Sequence, residues 1–260
     1  MPEGHTVHRA AREHTKLFAG APVCVTSPQG RFDASVIDGR TLKRVEAYGK
    51  HWFAWFEGNA LIHVHLGLFG KWWTHTDGFI PPARDSVRMR WLGANGAIDL
   101  TGPTACVVGT PELYDSVVKR LGPDPLRKDA QAARFVDKVA RSKKSIGQLL
   151  MDQSVAAGVG NVYRAEALFV RGIWPERLGT DVGAAEAEAI WTVLVGMLRD
   201  GVKTGKIVTV PKAERPPDAS RDGKVNYVYK RELCLRCGTP IRRWDMAGRW
   251  CYACPTCQPR

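Results

Sequence analysis

Four cysteines near the end of this chain constrain its folding more than any other feature. Cys234-x2-Cys237 and Cys254-x2-Cys257 are two short pairs separated by sixteen residues. Each pair makes a tight turn that aims two sulfurs inward, and the interval suits a β-hairpin of two strands. Four thiolates so arranged surround one tetrahedral Zn2+ and leave no position open for water, so the ion is expected to be structural. A disulfide framework is disfavoured because no secretion signal precedes the seven cysteines. Cys251 would break the spacing if it replaced Cys254, and it reads as a free thiol on the hairpin. Cys24 and Cys106 read as ordinary buried small residues.

The remainder of the chain is basic. Its 260 residues hold 38 Lys and Arg against 26 Asp and Glu, a net charge of +12. That surplus suits phosphate backbones, with an acidic membrane surface as the alternative partner. The stretch through His14 is too polar for a signal peptide, and the longest apolar run, Ala189 to Leu198, is too short to span a bilayer. A soluble, intracellular protein is expected. The length allows one large domain or two smaller ones.

Val7, Ala10, Ala11, His14 and Leu17 recur at helical spacing until Gly20. Between Val23 and Val107 the pattern changes to short runs, Pro22–Val25, Thr41–Tyr48, Trp52–Trp55, Leu61–His65, Val87–Trp91 and Ala97–Leu100, which predict a sandwich or a barrel. Trp72 and Trp73 read as strand residues that pack inside. Thr110 is placed to cap a helix over Glu112–Leu121, and Gly122-Pro123-Asp124-Pro125 marks a boundary. Beyond it, helical periodicity covers Ala130–Val139, Ile146–Met151, Asn161–Val170 and Gly183–Asp200. Pro211–Lys224, polar and rich in proline, reads as a mobile loop or lid.

Two further segments carry chemistry. Removal of Met1 would leave the secondary amine of Pro2 as a free N-terminus beside the Glu3 carboxylate. An α-amine titrates near ~8, so a neutral, nucleophilic fraction exists at working pH. Alone, a Met-Pro-Glu start is weak evidence. The second segment is Ala156-Ala157-Gly158-Val159-Gly160-Asn161-Val162-Tyr163. Gly158 and Gly160 can take positive φ, Asn161 is a good N-cap, and a helix N-terminus bounded by glycine suits a DNA phosphate. A plain helical hairpin would explain the same residues.

Taken together, Pro2-Glu3-Gly4, Gly49-Lys50, Gly158 to Tyr163 and the terminal cysteine hairpin ending Cys257-Gln258 resemble the formamidopyrimidine-DNA glycosylase and endonuclease VIII family, from end to end. The Pro-Glu-Gly-His-Thr start is similar to the second endonuclease VIII type of actinobacteria. The resemblance implies a multidomain α+β fold: a β-sandwich catalytic domain with flanking helices (1–121), a helical helix-two-turn-helix domain (122–226) and a zinc-finger β-hairpin (227–260). It implies a bifunctional DNA glycosylase and abasic-site lyase that acts on oxidised bases, pyrimidines in preference. Pro2 is then the nucleophile at C1′, Glu3 moves protons, and Lys50 assists the departing base or holds a phosphate. Asn161 and Arg249 bind phosphates flanking the lesion. Flipping a base leaves a gap that costs a few kcal/mol of stacking, roughly, and Leu68 and Phe69 in His65-Leu66-Gly67-Leu68-Phe69-Gly70 align with the loop that fills it. Burial at a strand end is their alternative, and a solvated surface position is that of Lys50 or Arg249.

Damaged DNA is the expected partner, with no membrane, no nucleotide cofactor, one Zn2+, a monomeric chain and a bacterial cytoplasmic, nucleoid-associated location. The family commonly has a second glutamate where this chain has Thr6, and His51-Trp52 and Cys251 also depart from its pattern. The alternative readings are a catalytically silent zinc-containing nucleic-acid-binding paralogue and an RNA-binding zinc-ribbon protein.

Overall fold

The protein is described here from a computed structural model, which covers residues 2–215 and 225–260. The chain forms two compact units, Met1–Arg120 and Leu121–Arg260. The lid expected over Pro211–Lys224 is represented by a 3-10 turn at Lys212–Glu214, and the rest of it, from 216 on, lies outside the described residues.

The first unit opens with helix α1, Gly4–Phe18. Its buried stripe, Val7, Ala10, Ala11, His14 and Phe18, follows the spacing of one helical face. Eight short strands follow: β1 Cys24–Thr26, β2 Leu42–Tyr48, β3 His51–Phe56, β4 Leu61–His65, β5 Lys71–His75, β6 Val87–Gly93, β7 Gly96–Thr101 and β8 Ala105–Gly109. They form two antiparallel sheets, ordered β1-β6-β7-β5 and β2-β3-β4-β8. The sheets share one core with α1, so the sandwich is realised rather than a barrel: Trp52 of β3 meets Trp91 of β6 with ring centroids 5.4 Å apart, and Ile62, Val64, Ile98 and Leu100 fill the layer. Each such fully buried side chain contributes roughly 1.5–3 kcal/mol.

Two expectations for this unit need correction, and strand period explains both. Cys24 is exposed, because it lies between the buried Val23 and Val25 and points the other way. Trp72 packs against the core, but Trp73, one residue on, is 43% exposed. Cys106 is buried, as expected. Helix α2, Pro111–Val118, closes the unit with Thr110 at its N-cap. The Thr110 hydroxyl bonds the Glu112 carboxylate rather than a backbone N–H.

The second unit is helical: α3 Ala132–Ala140, α4 Ile146–Leu149, α5 Asn161–Val170 and α6 Gly179–Thr204. Phe135 of α3 packs on Trp191 of α6 at 5.3 Å, above Ile146, Tyr163, Leu168, Ile190 and Leu194. Gly179 permits the close start of α6, since a Cβ there would lie 2.3 Å from the Val139 carbonyl. Strands β9, Arg242–Asp245, and β10, Trp250–Ala253, form the terminal hairpin, with Cys251 buried on β10. Among the described residues, no helix is long and apolar enough to cross a membrane.

Candidate functional site

In the first unit, Pro2 is half-buried immediately before α1, and Glu3 is buried at the helix N-cap with extended φ and ψ of −109° and 175°. The Glu3 carbonyl accepts from the Thr6 N–H at 3.0 Å, which fixes the terminal residues to the first helical turn. Thr6, at the family's glutamate position, sets its hydroxyl 3.1 Å from Nε2 of His5. Burial lowers the His5 pKa to about 4.

Helix α1 packs on β2 and β3, and Gly49-Lys50 is the turn between those strands. Gly49 adopts φ +58°, which a side chain would strain, and Lys50 follows it in a half-buried position. Beside that turn, antiparallel register sets His51 opposite His65 and Phe53 opposite His63. Nδ1 of His51 lies 2.9 Å from Nε2 of His63. Burial, and then the charges of His63, His65, Arg120 and Lys50, bring His51 down to about 3. Burial also brings His63 to about 4, and it lowers His65, with Lys50 as the second cause. The imidazoles are therefore neutral at neutral pH, so Lys50 stands beside acceptor and donor groups rather than beside a cluster of cations.

The loop joining β4 to β5 presents Leu68 and Phe69, 55% and 85% exposed, so burial at a strand end does not account for them. Glycine on both sides makes the turn possible. Gly67 has φ +65° and leaves no room for a Cβ beside the Thr104 hydroxyl, and Gly70 donates to the Leu66 carbonyl at 2.9 Å.

In the second unit the double turn between α4 and α5 is riveted by Gln153, whose amide nitrogen donates to the Val159 carbonyl at 2.9 Å and whose oxygen accepts from the Gly158 N–H at 3.0 Å. Gly158 has φ +89°, but Gly160 is extended and is itself the N-cap of α5. Asn161 is therefore the first helical residue, not the cap. With the chain entering through Gly160, its side chain turns to the hairpin and Nδ2 donates to the Trp250 carbonyl at 2.9 Å. Nη2 of the fully buried Arg164 donates to the same carbonyl at 2.8 Å and to Oδ1 of Asn161 at 2.5 Å. Asn161 and the hairpin turn Met246–Arg249 are thus brought together. Next to them lies an open cavity of about 360 Å³, lined by Lys144, Gln148, Met151, Arg164 and Arg249 among others. Its three cations suit an oxyanion. Lys144, Gln148 and Arg164 had no sequence signal beyond their nearness to the glycine turns.

The four hairpin cysteines converge. Their sulfurs all lie within 4.8 Å of one another, at 3.4 Å for Cys237 and Cys254, 3.5 Å for Cys237 and Cys257 and 3.9 Å for Cys234 and Cys257. A tetrahedral ion with metal–sulfur bonds of about 2.3 Å sets sulfurs about 3.8 Å apart, so the donor set fits a metal ion without rearrangement. Gln258, fully buried, accepts from the Cys254 N–H at 3.0 Å and donates to the Ile173 carbonyl at 2.8 Å, which ties the cysteine turn to the helical core.

A β-sandwich with a buried Glu3 after the terminal proline, a glycine double turn and a four-cysteine hairpin define the class of DNA glycosylases with abasic-site lyase activity. Residues 1–98 match the model of the formamidopyrimidine-DNA glycosylase N-terminal domain, and residues 121–212 match that of the formamidopyrimidine-DNA glycosylase H2TH domain. Endonuclease 8 1 of Mycobacterium tuberculosis is 48% identical over 99% of this chain and 100% of its own. Probable endonuclease 8 2 of Streptomyces coelicolor is 30% identical over 99% and 94%. The chain belongs to the formamidopyrimidine-DNA glycosylase and endonuclease VIII family. The Lactococcus lactis glycosylase in complex with DNA containing an oxidised pyrimidine has the same fold, with a TM-score of 0.80 at 23% identity over 100% of both chains.

Proposed function

We propose that this chain removes oxidised bases, pyrimidines in preference, from DNA and then cleaves the strand at the abasic site. The observation that carries the reading is the start of the chain: a proline fastened directly to a buried N-cap glutamate at the first turn of α1. In the reaction, the Pro2 nitrogen attacks C1′ of the damaged nucleotide and the C1′–base bond breaks, with the base taking the bonding pair and a proton. Loss of the amine proton and opening of the sugar ring leave an iminium, and Glu3 carries the proton to the ring oxygen. Two eliminations then release the 3′ and the 5′ phosphate and leave a one-nucleotide gap. Lys50 assists the departing base or holds a phosphate.

Asn161 and Arg249 hold the phosphates flanking the lesion, consistent with the cationic cavity beside them. Leu68 and Phe69 fill the space vacated by the flipped base, consistent with their exposure. The metal is one structural Zn2+, which closes the hairpin that carries Arg249. The endonuclease VIII relatives and the net charge of +12 support a DNA substrate, met by a monomer in the bacterial cytoplasm.

Borohydride reduction in the presence of abasic DNA tests the reading. The native protein should become covalently joined to the strand, and a Pro2→Gly variant should trap at least about a hundredfold less. A native protein that binds this DNA but yields no adduct would instead be a silent binder. Arg249→Ala should weaken binding about uniformly across DNA sequences and lower the slope of log affinity against log salt by about one. An unchanged slope in filter-binding titrations would remove Arg249 from the phosphate contacts.

A further inference from the structure

The loop that carries Phe69 borders a second feature. On the outer face of the β1-β6-β7-β5 sheet lies a cavity of about 390 Å³, bounded by Phe69, Trp73, Pro81, Pro82, Ser86 and Asp99 among others. Its volume falls in the range of small-molecule sites. The walls are flat and apolar. Trp73 is fixed by an Nε1–H bond to Oγ1 of Thr101 at 3.2 Å, and the ammonium of Lys71 sits 3.7 Å from its ring centroid.

The floor is polar and already organised. Asp99, nine-tenths buried, accepts two bonds of 2.6 Å from Nε and Nη2 of Arg90. Arg90 also donates through Nη1 to the Pro81 carbonyl at 2.9 Å, which pins the 81–82 segment over the sheet and holds the cavity open. The remaining acceptor capacity of Asp99 is met by Nε2 of His75 at 3.2 Å. Asp99, His75, Thr101 and Ser86 therefore offer donors and acceptors at the end of a slot with planar sides. Phe79 and Ile80, 68% and 41% exposed, extend the apolar surface on the same loop as the prolines.

Planar walls with a hydrogen-bonding end are the features that recognise a heteroaromatic base. The position selects which base. Phe69 is both a wall of the slot and the outermost residue of the wedge loop, so whatever that ring displaces from the stack on the partner strand is delivered beside the slot. We propose that this cavity is a nucleobase slot that receives the undamaged base standing opposite the lesion once Phe69 has entered the duplex. The inference rests on the wedge reading given above and deepens it, because the slot makes affinity depend on the presence of an opposite base.

Two duplexes test it, each with a tetrahydrofuran abasic analogue at the lesion position. One has adenine opposite the analogue, and the other has a second analogue there, so nothing can enter the slot. Stacking a base on aromatic side chains contributes roughly 1–3 kcal/mol, so the native protein should bind the adenine duplex about tenfold more tightly. Ser86→Trp, which fills the slot without touching the wedge or the N-terminus, should abolish that difference and leave affinity for the doubly abasic duplex unchanged. Trp73→Ala, which removes a wall, should reduce it, and circular dichroism verifies that both variants are folded. A native protein with no preference, or a preference that survives in both variants, overturns the slot. Binding, not catalysis, is the readout, so a native protein that shows the preference yet forms no borohydride adduct would count against the enzymatic reading alone. One that binds neither duplex would count against both.

Discussion

The two units hold their important side chains by opposite means. In the first, position comes from apolar burial: α1 lies against two sheets, His14 is enclosed by Trp52 and Trp72 at ring distances of 5.7 and 4.7 Å, and the imidazoles near Lys50 stay neutral because water is excluded. In the second, position comes from buried polar clamps. Arg164 gathers Asn161 and Trp250, Gln258 ties a cysteine turn to the Ile173 carbonyl, and the fully buried Glu166 accepts the N–H groups of Tyr227, Val228 and Tyr229 at 2.7, 3.0 and 2.9 Å. A hydrophobic layer is tolerant of ligand state but intolerant of protons on its histidines. A clamp of charges and thiolates is the reverse: it needs every partner, the metal included, because each one left alone is a desolvated polar group.

The largest expected break of this contrast is removal of the metal. Binding to four thiolates is worth roughly 10–16 kcal/mol in small zinc domains, so chelation, or Cys254→Ser, should melt the hairpin and remove the protection of its amides from hydrogen exchange. Amides of the β-sandwich should keep theirs, and equal loss in both units would refute the distinction. A smaller effect is expected from Glu166→Ala, which leaves three buried N–H groups without their acceptor. Urea unfolding should register a loss of about 3–5 kcal/mol in the second unit. Glu166→Gln, which keeps one acceptor oxygen, should lose less.

The smallest break is one of pH. Burial lowers His14 from 6.5 to about 3, and its Nδ1 has no hydrogen-bond partner among the described residues. From pH 6.5 down to about 3 the unfolded chain binds a proton there that the folded one refuses, so stability falls as pH falls through that window and levels below it. His14→Phe keeps an aromatic ring between the tryptophans and removes the proton site. Relative to the native protein it should gain about 2 kcal/mol between pH 7.5 and pH 5, measured by denaturation at each pH. A constant difference across the range would mean that His14 does not carry the acid sensitivity.

Legibility followed the range of the interactions. Helix α1, the glycine double turn and the cysteine pairs were readable because their signals span only a few neighbouring residues. The misreadings came from contacts with distant partners or from strand phase. Trp73 and Cys24 are apolar residues whose exposure depends on which strand face they occupy, and a run such as Lys71-Trp72-Trp73 does not declare its phase. The cap position of Asn161 was missed by one residue because its side chain serves a strand 89 positions away. Arg164, one of the largest fully buried side chains, looks in the sequence like any helical arginine.

By itself the amino-acid order determined the metal-binding knuckles, the basic character, the strand-rich first half and helical second half, and the nucleophile that a processed terminus would offer, since spacing and residue chemistry are local properties. Tertiary structure decided which charges would be surrounded. It paired His51 with His63 across two strands, placed Arg164 beneath Trp250 and left Phe69 in the open next to a slot floored by Asp99. Those outcomes depend on water being excluded from one side of a residue and admitted to the other, and only a packed chain does that.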